Sequence, residues 1–232
     1  GWHIECSAMA EKHLGVPFDI HGGGQDLIFP HHENEIAQTC CAHGLDLMAR
    51  FWLHNGFVDM RGQKMSKSLG NVLRLDEALA IVPGEAVRLW LLGAHYRAPV
   101  DLGEQGLLEA KAQLDRFYGA LGRAGATGDA APDPALIEAL EDDLNTPKAL
   151  AVLHELLGRL NRAKHEAAPA LAARLRASAG LLGLLLTGDP ADWLKGVAGE
   201  AAGRIEALVG ERLAARRARD FARADAIRDQ LA

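Results

Sequence analysis

The chain has 232 residues and a mass of 24.8 kDa, and 49% of its residues are hydrophobic. That is enough for one large or two modest domains with a real core, and it excludes wholesale disorder. The formal net charge of -6 excludes a uniformly basic nucleic-acid coat but leaves room for a local basic face.

No uncharged apolar run approaches about 18 residues, so no membrane span is expected. No basic-then-apolar leader is visible at the start. Three cysteines, two of them adjacent, make a poor disulfide framework, so a reducing, cytoplasmic setting is expected.

In chain order, residues 2–14 are predicted to form a helix that stops at Gly15. The alternating "PFDIH" predicts a strand running into a turn at Gly22–Gly24. "HHENEIAQTCCAHG" predicts a helix opening at Pro30 and stopping at Gly44. "GFVDMRGQKM" predicts a hairpin with Arg61-Gly62 at its turn. Beyond about Asp101, Ala, Leu, Arg and Glu dominate with helical periodicity. Helices are predicted over 76–82, 84–93, 104–123, 134–141, 146–164, 169–186 and 199–231, the last broken. "GATGDAAPDPA" (125–135) reads as a linker or exposed loop.

Two stretches carry candidate chemistry. His31 and Glu35 are spaced i, i+4 and share a helix face. An imidazole nitrogen and a carboxylate oxygen both bind zinc, and Cys6 adds a thiolate if the strand between brings the two helices together. From spacing alone, a small core cysteine and a solvated His/Glu face are the commoner reading of the same residues. Cys40 and Cys41 fit that plainer reading better, since adjacent helical residues diverge. In "KMSKSLGN" (64–71), Lys64 and Lys67 with intervening serines suit a cationic loop that meets a triphosphate. The glycines of "HGGGQD" (21–26) permit close backbone approach to a ligand. Solvated lysines and a tight turn are the alternatives.

Taken together, "GWHIECSAMA", "FDIHGGGQDLIFPHHENEIAQ" and "KMSKSLGN" resemble the cysteinyl-tRNA synthetase family of class I aminoacyl-tRNA synthetases, and "EDDLNTPKAL" (141–150) and "ARDFARADAIRDQL" (218–231) resemble its helical C-terminal region. "KMSKS" alone would indicate only the class.

The resemblance implies a mostly α chain. It would comprise the C-terminal part of a Rossmann-like α/β catalytic domain (1–55, with the zinc site), a signature-loop and stem-contact region (56–103), and an α-helical tRNA-binding bundle on the anticodon side (104–232). It implies that Cys6, His31 and Glu35 are three of four ligands to one zinc ion. Trp2 and His21 would line the cysteine pocket. Gly22, Gly23, Gly24 and Asp26 would lie near the adenylate. Lys64 and Lys67 would be catalytic, Lys67 meeting the ATP phosphates.

The chain departs from the family in lacking its first half, with the HIGH-type motif and the fourth zinc ligand. "PHHE" and "GAHY" are no substitutes. A fragment of a longer synthetase is therefore expected, inactive alone, with weak or empty zinc and with uncovered strand edges and apolar surface.

The intact enzyme would be a monomer without membrane contact. It would join cysteine to its tRNA with ATP and magnesium, through cysteinyl-adenylate. A metal–sulfur bond would distinguish cysteine from serine. The rival readings are the related cysteine ligase of mycothiol biosynthesis, disfavoured by His21 and "HHENE", and a non-catalytic tRNA-binding module. The arginine-rich tail, with Arg212, Arg216, Arg217, Arg219, Arg223 and Arg228, is expected to contact RNA phosphates or to pair with Glu211, Asp220 and Asp225.

Overall fold

In the computed structural model, the described residues are 1–60, 63–64, 73–101, 103–125, 128–164, 166–194, 200–217 and 220–231. The chain divides into two compact units, one of residues 1–111 with 133–154, the other of 112–132 with 155–232.

The first unit opens with helix α1 (Trp2–Leu14), which stops at Gly15 with φ 76°. That backbone conformation favours a residue without a Cβ. Strand β1 (Phe18–Gly24) follows, then an irregular turn over 25–32, then helix α2 (Glu33–His43). Gly44 ends α2 in the left-handed region, its N–H bonded to the Cys40 carbonyl. Strand β2 (Ala49–Asn55) runs parallel to β1, pairing Ile20 with Phe51, His21 with Trp52 and Gly23 with His54. The result is a strand–helix–strand unit in which α2 makes the crossover that parallel pairing needs.

One sequence expectation changes here and another holds. Gly22–Gly24 are not a turn: they complete β1 and pair with Leu53, His54 and Asn55. The helical path opens at Pro30 as expected, since Phe29 before it is extended (φ -132°, ψ 132°), and regular α2 runs from Glu33. The residue before a proline is sterically biased away from the helical region. Strand β2 itself had no assignment from sequence.

Strand β3 (Val58–Met60) pairs antiparallel with β4 (Gln63–Lys64) and parallel with β5 (Val100–Asp101). The register Met60↔Gln63 is that of the expected hairpin; Arg61 and Gly62 lie outside the described residues. Helices α3 (Leu75–Ile81) and α4 (Gly84–Leu92) follow. The loop after α4 is fastened at several points. The Gly56 N–H donates to the Tyr96 carbonyl at 2.7 Å, and a Cβ on Gly56 would overlap the Ala98 carbonyl. Gln25 Nε2 donates to the Arg97 carbonyl at 2.9 Å. The Arg97 guanidinium and the Tyr96 hydroxyl both bond Asp143, which sits after helix α6 (Pro134–Glu141) with φ 52°. Asp133 caps α6 by accepting from the Ala135 N–H.

The second unit takes in the later parts of α5 (Glu104–Ala124) and α7 (Thr146–Arg162) with α8 (Ala168–Leu181), α9 (Pro190–Leu194), α10 (Glu200–Arg217) and α11 (Phe221–Leu231). Its buried residues are almost all apolar: Leu114, Phe117, Leu121, Leu156, Leu160, Leu175, Leu184 and Leu185 among them. Buried Tyr118 stacks on Trp193 with ring centroids 4.7 Å apart. The Trp193 indole N–H donates to Asp115 at 2.9 Å. Helix α8 ends at Leu181, short of the expected 186, because Gly183 (φ 67°) turns the chain. The expected break in the last helix separates α10 from α11, where Asp220 caps the Arg223 N–H.

Candidate metal and substrate site

Helix α1, strand β1 and the start of α2 bring their polar side chains together. Ser7, buried on α1, donates to Gln38 Oε1 of α2 at 2.8 Å and ties the helices. One face of the strand pair carries His21, Trp52 and His54. His21 and Trp52 ring centroids lie 4.7 Å apart, and His32 packs edge-on against His21 at 4.7 Å. Gly23 leaves room for this packing: a Cβ there would meet the His32 ring at 2.9 Å. That glycine is thus required by a neighbouring imidazole, a reason the sequence reading, which gave all three glycines to a ligand, did not contain.

Glu35 is the centre of the cluster, and its side chain is fully buried. His21 Nε2 lies 3.0 Å from Oε2, and His31 Nε2 lies 3.4 Å from Oε1. Neither contact has hydrogen-bond geometry, so both carboxylate oxygens are buried without a bonded donor. An ionised carboxylate in that state costs several kcal/mol unless a cation answers it. Ligand atoms of Cys6, His31 and Glu35 all lie within 4.8 Å of one another. Those of His21, His32 and Glu35 form a second such group.

The donor chemistry fits a zinc ion: thiolate, imidazole and carboxylate around an orphaned, buried negative charge. Burial, then the Glu35 charge, raises the Cys6 thiol above its ordinary value. A cation at this position would reverse both effects, since a coordinating thiol is deprotonated outright. Burial, followed by the neighbouring histidines, lowers His32 to about 4. Burial likewise lowers His54. His32 is therefore neutral at pH 7, with Nδ1 held 2.8 Å from His54 Nε2.

The other expected site residues are placed as follows. Trp2 is 58% exposed and stacks on His31, ring centroids 4.1 Å apart. Asp26 is exposed in the turn after β1. Lys64 is in strand β4, and Lys67 lies outside the described residues. Cys40 and Cys41 are free thiols of α2, the second exposed. In the second unit Arg223 pairs with Glu211 at 3.4 Å and Arg228 with Asp225 at 3.1 Å. Arg216 and Arg217 are exposed, and Arg219 lies outside the described residues.

Sequence reasoning missed His3, His32, Trp52 and His54. His3 could have been found, since it is three residues before Cys6 on α1 and shares its face. Trp52 and His54 sit on the strand that had no assignment.

Residues 1–112 match the family of class I (C) tRNA synthetase catalytic domains, and residues 135–187 match the DALR domain. Over residues 1–112 the chain is thus similar to class I tRNA synthetase catalytic domains, and over 135–187 to DALR domains. All of it aligns with cysteine–tRNA ligases, at 59% identity to that of Parvibaculum lavamentivorans and 56% to that of Rhodospirillum rubrum, covering 51% and 52% of those proteins. The chain thus spans about half the length of the curated relatives it matches.

Among solved structures, a ternary complex of Agrobacterium radiobacter LeuRS with tRNA and LeuAMS matches with a TM-score of 0.60, at 23% identity over 73% of this chain and 25% of that one. Mycobacterium tuberculosis methionyl-tRNA synthetase with methionyl-adenylate matches with a TM-score of 0.51, at 20% identity over 84% of this chain and 45% of that one. These two likenesses support the class I synthetase fold with its mostly helical composition.

Proposed function

We propose that this chain serves cysteine–tRNA ligation, in which ATP, cysteine and tRNA give cysteinyl-tRNA, AMP and pyrophosphate. The observation that carries this reading is the Cys6, His31 and Glu35 donor set around a buried carboxylate without a bonded donor. It occurs in a chain 59% identical to a relative named for this activity.

In the reaction, a carboxylate oxygen of cysteine attacks the α-phosphorus of ATP and pyrophosphate leaves. A ribose hydroxyl of the tRNA terminus then attacks the adenylate carbonyl and AMP leaves. Such steps need positioning and charge stabilisation rather than a protein nucleophile. Cys6, His31 and Glu35 would hold zinc, which when bound supplies a soft acceptor for the substrate thiolate that a serine hydroxyl cannot match. His21, beside Glu35, and Trp2, stacked over His31, would flank the approach of the substrate thiol. Gly22, Gly24 and Asp26 lie at the carboxyl end of β1, the usual ligand side of an open α/β sheet. Lys64 and Lys67 would offset charge on the ATP phosphates, with magnesium. Residues 135–187 and the exposed arginines of α10 would meet tRNA. Among the described residues no helix is long and apolar enough to cross a membrane. A cytoplasmic monomer is the setting we propose.

The test uses the chain loaded with cobalt in place of zinc. Cysteine should add intensity to the sulfur-to-cobalt charge-transfer band, and serine should leave it unchanged. An equal response to both, or to neither, overturns the reading. For tRNA, filter binding at two salt concentrations should show affinity falling with salt. The slope should be modest, because Arg223 and Arg228 already have carboxylate partners.

A further inference from the structure

His3 has no part in the donor set, yet it touches that set at its most sensitive point. Its Nδ1 lies 2.6 Å from Nδ1 of His31. The other nitrogen of His31, Nε2, lies 3.4 Å from Glu35 Oε1, and His31 shares a group of close ligand atoms with Cys6 and Glu35. An imidazole can present Nε2 to a cation only if that atom's lone pair is free, which puts the ring proton on Nδ1. The partner on Nδ1 therefore decides which nitrogen is the ligand. Metal-bound histidines almost always donate their second N–H to a carboxylate, a carbonyl or a water. Here the neighbour is a second imidazole, and His31, 5% exposed, packs against both Trp2 and His3.

We infer that His3 is a positioning residue for the metal site, accepting the Nδ1–H of His31 and so fixing the tautomer that offers Nε2 beside Cys6 and Glu35. This rests on the metal reading above. For the pair to work, His3 must keep its own proton on Nε2 and present a bare Nδ1. The helix makes this local. His3 and Cys6 stand one turn apart on α1, so a single rigid element delivers both a ligand and the group that orients the next ligand. The Ser7–Gln38 hydrogen bond, one residue beyond Cys6, fixes that element against α2.

The experiment measures zinc affinity of the chain by competition with a chromophoric chelator, for the native sequence, His3→Ala and His3→Gln. His3→Ala should weaken zinc by roughly 10–100-fold. His3→Gln, whose side-chain oxygen also accepts a hydrogen bond, should recover most of that loss. The cobalt-loaded His3→Ala chain should keep its thiolate charge-transfer band, since Cys6 is untouched. Long-range nitrogen–proton NMR of the metal-free native chain should find the His31 proton on Nδ1.

Native zinc affinity in His3→Ala, or a His31 proton on Nε2 in the native chain, would overturn the inference and leave the metal reading standing. A loss in His3→Ala that the Gln variant does not recover, together with a matching fall in metal-free melting temperature, would also overturn it by showing a packing role. A native chain that binds no zinc would remove the metal reading and this inference with it.

Discussion

The first 55 residues and the second, helical unit solve the problem of burial in opposite ways. Within the first stretch the buried apolar residues are Phe18, Met48 and Ala49, while Ser7, His31, His32, Glu35 and Thr39 are buried and polar. In the second unit the buried side chains are leucines, alanines, Phe117, Tyr118 and Ile227, with Ser178 the one buried polar residue among those described. Burying a leucine yields about 1.5–3 kcal/mol. Burying a carboxylate without a bonded donor costs free energy. The contrast shows where stability is generated and where it is spent to hold chemistry ready. The two kinds of region should respond differently to substitution.

The largest effect is expected in the helical unit. Leu175 is fully buried in α8, and Leu175→Ala should cost about 2–5 kcal/mol in a denaturant titration followed by helical circular dichroism. Zinc affinity should not change. A mutant that lost zinc in proportion to stability would blur the distinction between the regions.

In the first region Cys6→Ser should do the reverse. It removes a proposed ligand rather than an outer partner, so zinc affinity should fall by at least about 100-fold in chelator competition. The metal-free melting temperature should hardly move, since the side chain is only partly buried. Glu35→Gln should sharpen the point further. It removes a buried charge whose oxygens have no bonded donor, so the metal-free chain should melt higher while zinc binding weakens. A lower melting temperature would mean that the carboxylate contributes to the fold without a cation.

The smallest effect concerns an exposed pair. Hydrogen bonds from Arg97 and then Tyr96 hold Asp143 down at about 2. Its stabilising contribution is fully present above the ordinary carboxylate value of about 3.9 and is lost as pH falls through about 2. Asp143→Asn should therefore lower the melting temperature slightly at pH 7, less at high salt, and progressively less as pH falls below 4. A difference that persisted unchanged near pH 2 would show that its source is not the charge.

The contrast also explains what the sequence made legible. The long amphipathic helices could be placed because their apolar residues recur at helical spacing and their ends carry stop signals. Gly15 and Gly44 end α1 and α2 where expected, and α5 runs over Glu104–Ala124 against a predicted 104–123. Strand β2 was illegible because "ARFWLHN" does not alternate: its two faces carry Phe51 and Leu53 on one side and Trp52 and His54 on the other. With the strand went two of the residues that build the site. The proposed ligand trio was suggested by spacing and resemblance together, and His3 was within reach of the same helical spacing, whereas His32 and His54 meet across a distance between elements that no local pattern records. The role of Gly23 was hidden for the same reason, since only the folded position of His32 explains it.

The parallel pairing of β1 with β2 has a consequence in time. The strands flank α2 in the chain, so they cannot zip from a turn as a hairpin does. They meet only after the crossover helix has formed and the loop entropy of bringing its ends together has been overcome. Residues of the proposed site lie on α1, β1, the turn before α2, α2 itself and β2. The face built by His21, Trp52 and His54 therefore forms only with the strand pair, whereas Cys6, His31 and Glu35 lie on α1, the turn before α2 and α2. An ion that prefers the finished pocket would slow its opening and leave the rate of its closing largely untouched. Exchange of backbone amide hydrogens in β1 and β2 would then act as a clock for how long the ion stays.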